Sequence, residues 1–162
     1  MFDIKSLVTD RTAEDLSRWI ELRDKGFVNM TDSEQTEWLS GTMKGAYNVS
    51  DLNRVGACLN YLYEKLYDAG YIGLSDIFTA KTDWVVSDIP TIADMTEYLR
   101  AVSIIRNALA RFPGTPIAPT NARGLSFIQA NEIEKILQSV DTAINNMIAI
   151  YQYCGEPICG DV

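Results

Sequence analysis

The residues with most chemical potential are three cysteines, and two of them close the chain. In "YQYCGEPICGDV", residues 151–162, Cys154 and Cys159 form a C-x4-C pair, each followed by glycine and an acid. A structural zinc site needs four ligands, drawn from thiolate, imidazole and carboxylate. The chain has no histidine, so the available set is Cys58, Cys154, Cys159 and carboxylates. A disulfide across a turn at Glu156-Pro157 is geometrically possible, but a reduced compartment opposes it. The tail also reads as a doubled short unit, "YCGEP" then "ICGDV", that is extended or a hairpin. That reading leads, with the metal site third. Cys58 falls one step off an apolar helical seam and reads as a small buried side chain.

Other catalytic constellations are not supplied. Without histidine no serine triad can form, and the commonest general base is missing. Glu132 and Glu134, and Asp15, Glu21 and Asp24, are spaced as a solvated helix face rather than as a partnered pair. No phosphate-cradling glycine string occurs. The expectation is a protein that is not an enzyme, with no catalytic residue, cofactor or metal. A net charge of −8 repels phosphate backbones and anionic lipid, so neither nucleic acid nor membrane is an expected partner. "MFDIKSLVTDRT" lacks the apolar core of a signal peptide, and with an odd cysteine count it predicts a reducing compartment.

The positioning elements announce themselves through their caps. Thr12/Asp15, Thr31/Glu34, Asn48/Asp51, Thr91/Asp94 and Ser126/Gln129 each pair a capping residue with an acid or amide three positions on, the spacing of a capping box. Gly26, Gly70 and Pro113 supply stops. The last three helices carry one register: Leu52, Val55, Leu59, Leu62, Leu66; then Met95, Tyr98, Val102, Ile105, Leu109; then Ala130, Ile133, Leu137, Val140, Ile144. Alternating steps of 3 and 4 make a narrow seam suited to a bundle. Shared register also follows from any capped helix with a core stripe, so repeat ancestry is not required.

The connections, 70–90 and 112–125, are long for helix–helix turns. Fully extended, the second reaches ~45 Å, beyond the ~30 Å of a twenty-residue helix. It can run back along the bundle, so successive long helices need not be antiparallel. Pro113, Pro116 and Pro119 favour a stiff path. The predicted fold is all-α: one helical-bundle domain of about five helices, two short in 1–47, three long in 48–152, and an extended tail over 153–162. Trp19 and Trp38 read as packing at the bundle ends. Trp84, in a loop beside Asp83, is an interface candidate.

Residues 8–62 contain, in order, "TDRT", "KG", "NMT", "EWL", "KGAYN" and "SDLNRV". These strings, with "KTDWVVSDIPTIADMTEYLRAV", "LSFIQANEIEKIL" and the closing segment, resemble a module of structural proteins from phages and prophages of Gram-positive gut bacteria. The resemblance covers nearly the whole chain, although the family more often has serine or another small residue at each tail cysteine. It implies a tail- or baseplate-associated virion component assembled in the host bacterial cytoplasm, with other phage structural proteins and further copies of itself as partners. It also favours the tail reading, with Cys154 and Cys159 as small fillers. The expected interface residues are Asp83, Trp84, Tyr151, Tyr153, Ile158 and Val162. The competing expectation is a small acidic adaptor or regulatory binding protein of a phage, for which the −8 charge speaks; acids scattered among fourteen basic residues speak against nucleic-acid mimicry.

Overall fold

The computed structural model describes residues 2–71, 78–121 and 124–155, with side chains to residue 150. The described residues form an all-α helical bundle: α1 (Ala13–Lys25), α2 (Asp32–Leu39), α3 (Val49–Asp68), α4 (Ile92–Asn107) and α5 (Phe127–Gly155), with 3-10 turns at Ile4–Ser6 and Phe27–Asn29.

All five predicted capping boxes form. Thr12, Thr31, Asn48 and Thr91 accept from the third helical amide while Asp15, Glu34, Asp51 and Asp94 reach back to the cap. Ser126 and Gln129 do the same at 3.0 and 3.2 Å. Each cap is worth only ~1 kcal/mol, so caps set where helices begin and burial sets whether they persist. α1 ends at Gly26. α3 ends in a Schellman motif: Tyr71 N–H donates to the Leu66 carbonyl at 2.8 Å and Gly70 N–H to Tyr67 at 2.9 Å, with Gly70 at φ 78°, where a side chain would be strained. The stop at Pro113 is not the one used. α4 ends at Asn107, because Arg106 turns its guanidinium onto the Pro116 carbonyl and draws the chain back.

The seams are the core. Val55, Leu59, Leu62 and Leu66 of α3, Val102 and Ile105 of α4, and Ile133, Ile136 and Leu137 of α5 are fully buried, each contributing ~1.5–3 kcal/mol on removal from water. Of the predicted seam, Met95 and Tyr98 in α4 and Leu109 just past its end are only half-buried, while Leu99 and Ala101 are buried. Its core face is wider than the seam because the returning segment, through Ala118, also packs into the core.

The three long helices run the same way. Arg54 near the start of α3 pairs with Glu134, and Lys65 near its end with Asp141, so residue numbers rise together along α3 and α5. Tyr98 of α4 bonds Tyr47, just before α3, whereas Arg106 and Leu109 border the same hollow as Ser139 and Ala143. Both long connections therefore return along the bundle. By contrast α1 and α2 are antiparallel, joined by Arg18–Glu37 and Lys25–Glu34 pairs, with Trp19 and Trp38 stacked at 6.4 Å. α5 continues to Gly155, so the backbone at Tyr153–Gly155 is helical where an extended tail is predicted; residues 156–162 lie outside the described residues.

Candidate interaction surface

The first connection is held in place by asparagines. Asn53 in α3 donates its amide to the Trp84 carbonyl at 2.9 Å and accepts the Trp84 N–H at 2.8 Å. Two turns on, Asn60 makes the same double bond with Ala80, at 2.9 and 2.8 Å. Gly56 lies between them: a Cβ there would meet the Lys81 carbonyl oxygen at 2.5 Å. The strip Asn53–Gly56–Asn60 thus takes the place of a neighbouring β-strand, satisfying the polar backbone of an extended segment.

Beyond Trp84 the chain makes a closed turn. Asp88 N–H donates to the Val85 carbonyl at 2.8 Å, and the Asp88 carboxylate accepts the Val85 N–H at 3.2 Å and the Lys81 ammonium at 2.8 Å. The Lys81 hydrogen bond, then that of Val85, holds the Asp88 carboxyl below its ordinary value. Lys81 also lies 4.2 Å from the Trp84 ring centre, so Trp84 is half-buried rather than displayed. The exposed side chains are its successors: Val85 54%, Val86 91%, Ile89 87% and Ile92 74%. A hollow of about 410 Å³ opens beside them, lined by Pro90, Ile92, Met95, Leu99, Thr120 and Asn121. Aliphatics on a braced turn next to a hollow form a surface suited to docking.

A second constellation is buried. Glu134, expected on a solvated face, is 0% exposed. Its carboxylate accepts from Arg11 at 2.7 Å, Arg54 at 2.8 and 3.1 Å, and the Val8 N–H. Asp51 accepts from Arg11 at 2.8 Å and from Arg54 while its other oxygen completes the α3 cap. Asn131 clamps Arg11 as Asn53 clamps Trp84, accepting its N–H at 3.0 Å and donating to its carbonyl at 2.9 Å. Burial alone would lower the Arg11 pKa, but Glu134 and then Asp51 more than offset it and raise it. Two guanidinium and two carboxylate groups balance. This cluster ties the N-terminal segment across α3 and α5; both carboxylates are occupied by donors, which suits a clamp and not proton transfer.

The expected interface residues do not converge. Asp83 is exposed and Trp84 borders the aliphatic turn, near the start of α3. Tyr151 and Tyr153 lie on the helical backbone of α5, past Asp141, which pairs with the end of α3. They are therefore at the opposite end of the bundle. Ile158 and Val162 lie outside the described residues, as does Cys159. Cys58 is free and buried; burial pushes its thiol up to about 12. Among the described residues no cluster of three or more histidine, cysteine or acidic side chains could hold a metal ion, and no helix is long and apolar enough to cross a membrane.

The missed residues had one sequence signal. Asn53, Asn60 and Asn131 stand inside helices, past the first turn, where asparagine is a poor former and needs a reason to be there. Glu134 and Arg54 had none, because their partners are remote in sequence. No family model, no curated protein and no solved structure matches the chain.

Proposed function

We propose that the protein is a non-enzymatic structural component of a phage or prophage particle, tail- or baseplate-associated, that acts through protein–protein assembly with other phage structural proteins and with further copies of itself. The observation that carries this reading is the aliphatic turn Val85–Ile92, braced by Asn53 and the Lys81–Asp88 pair. A loop already ordered before docking loses little conformational entropy on binding, so its exposed apolar area converts more fully into affinity. The resemblance of the TDRT…SDLNRV segment to phage structural modules supplies the particle, and points to assembly in the host bacterial cytoplasm.

The test is made on particles released by induction of the prophage in the encoding bacterium and purified on a density gradient. Peptides of this chain should be recovered at fixed stoichiometry with the tail proteins. A Val86→Asp/Ile89→Asp variant, altered only at exposed positions, should fold with full helicity yet be excluded from particles. Absence of the chain from particles, or equal incorporation of the variant, overturns the reading.

A further inference from the structure

The chain leaves the core at Arg11 and returns to it at Tyr47, and the two points meet. Arg11 donates to Asp51 of α3 at 2.8 Å, and its guanidinium carbon lies 5.6 Å from the centre of the Tyr47 ring. Asp10 pairs with Lys44 at 2.7 Å, and Gly45 lies against the Asp15 carbonyl with no room for a Cβ. Residues 12–46 are therefore an excursion closed at its base, built from α1, the turn Phe27–Asn29 and α2.

Both flanks are fastened to the bundle by contacts of their own. Before the excursion, Leu7 belongs to the core formed with α3, α4 and α5. Val8 N–H donates to Glu134, and Asn131 holds both polar groups of Arg11. After it, the Tyr47 hydroxyl bonds Tyr98 of α4, and Asn48 caps α3.

The excursion, by contrast, is tied chiefly to itself. Among the described residues, the core takes no side chain from 12–47, and neither α1 nor α2 packs along α3, α4 or α5. The two helices are joined by Arg18–Glu37 at 2.8 Å, Lys25–Glu34 at 2.6 Å and the Trp19–Trp38 stack. Gln35 adds a hydrogen bond to the Phe27 carbonyl at 3.2 Å.

Helices of 13 and 8 residues are too short to persist alone in water, so neither stands once the other is lost. Their cohesion is thin. Leu22 is the one buried side chain of α1 and α2, and Arg18 and Glu37 are 36% and 39% exposed, a setting in which an ion pair adds little. In the bundle, Leu59, Leu62, Leu66, Ile133, Ile136 and Leu137 are all fully buried. Segments with few buried contacts open first, and as contiguous units.

We infer that α1 and α2 form an arm that opens and closes as one cooperative unit on a bundle that stays folded, with the Arg11 cluster as its fixed base. The inference rests neither on the phage role nor on the Val85–Ile92 turn, whose braces Asn53, Gly56 and Asn60 belong to α3.

The test is native-state hydrogen exchange of the full chain, read peptide by peptide by mass spectrometry. Amides of 16–25 and 35–39 should share one level of protection. Since each fully buried aliphatic side chain adds about tenfold to the closed-to-open ratio, that level should lie at least roughly a hundredfold below that of α3 and α5. Leu22→Ala should speed exchange in both arm helices by the same factor and leave 49–68, 78–107 and α5 unchanged. Ile133→Val should do the reverse, lowering protection in α3 to α5 with the arm unchanged. Complete loss of arm protection in Leu22→Ala, with the bundle intact, would support the inference equally. Arm amides as protected as those of α5, an effect of Leu22→Ala confined to α1, or one that spreads into α3 to α5, would each overturn it.

Discussion

At the scale of the residue, the decisive feature is the buried set Arg11, Asp51, Arg54, Glu134 and Asn131. Such a cluster contributes little over an apolar core of equal volume, but removing one member strands the others. Glu134→Ala leaves Asp51 as the one carboxylate for two guanidinium groups and the Val8 N–H without its acceptor. We expect a loss of ~3–5 kcal/mol, read as the urea midpoint at constant slope. Arg11→Ala combined with Glu134→Ala should cost clearly less than the sum of the single changes, since both break one network.

Three groups behind this cluster respond to alkali. Burial raises the Cys58 thiol to about 12, and it raises the Tyr47 and Tyr98 phenols as well. A group whose folded value is raised contributes stability fully present below its unfolded value and lost as pH rises towards the folded one. Stability should therefore hold to about pH 9, the ordinary thiol range, and decline above it. In the native chain at pH 8 a thiol reagent should leave Cys58 unmodified and label it at the rate of global unfolding. Labelling of Cys58 faster than unfolding, once the tail cysteines are replaced by serine, would contradict this burial.

At the scale of the element, asparagine clamps do for extended segments what caps do for helices. Asn53, Asn60 and Asn131 each satisfy both polar groups of one backbone residue. Gly56 lets the segment lie close. Gly56→Ala would drive a Cβ against the Lys81 carbonyl, backbone that cannot swing aside. A cost of ~1–3 kcal/mol, as for overpacking, is expected. Limited proteolysis should then cut within 78–90 sooner than in the wild type, while α3 to α5 stay intact. Asn53→Ala should give the same pattern with a smaller effect, ~1–3 kcal/mol or less for two lost acceptor and donor contacts. Unchanged cleavage kinetics in both variants would mean that the turn is braced by Lys81–Asp88 alone.

At the scale of the whole molecule, surface carboxylates set the acid limit. Hydrogen bonds from Lys25 and Thr31 hold Glu34 down to about 2. Lys44, Lys81, Thr91 and Arg100 lower Asp10, Asp88, Asp94 and Glu97 respectively. A depressed carboxylate contributes stability present above its unfolded value and lost as pH falls through the folded one. The thermal midpoint should be flat from pH 7 to about 5 and fall between about 4.5 and 2, where these acids protonate. Salt should blunt the fall, because Asp10, Asp94 and Glu97 are exposed. A midpoint that rises on acidification, as relief of the −8 charge alone would produce, would show that self-repulsion outweighs these pairs.

Local chemistry alone determined the helices, their starts and the apolar seams. Caps and seam spacing depend on neighbours three or four residues away, so Thr12, Thr31, Asn48, Thr91 and Ser126 were readable as they stand. The length of 112–125 likewise permitted a returning connection. What only the tertiary structure decided was which polar residues are buried, and which apolar ones are not. Glu134 reads as solvated because its partners lie 123 and 80 positions away. Trp84 reads as the display residue, yet Asn53, 31 positions back, and Lys81 tuck it down and leave Val86 and Ile89 outside. The backbone at Tyr153–Gly155 reads as part of an extended tail, yet it continues the helix α5. Burial is a property of what packs across the chain, and spacing along the chain constrains only the side of the helix on which a residue falls.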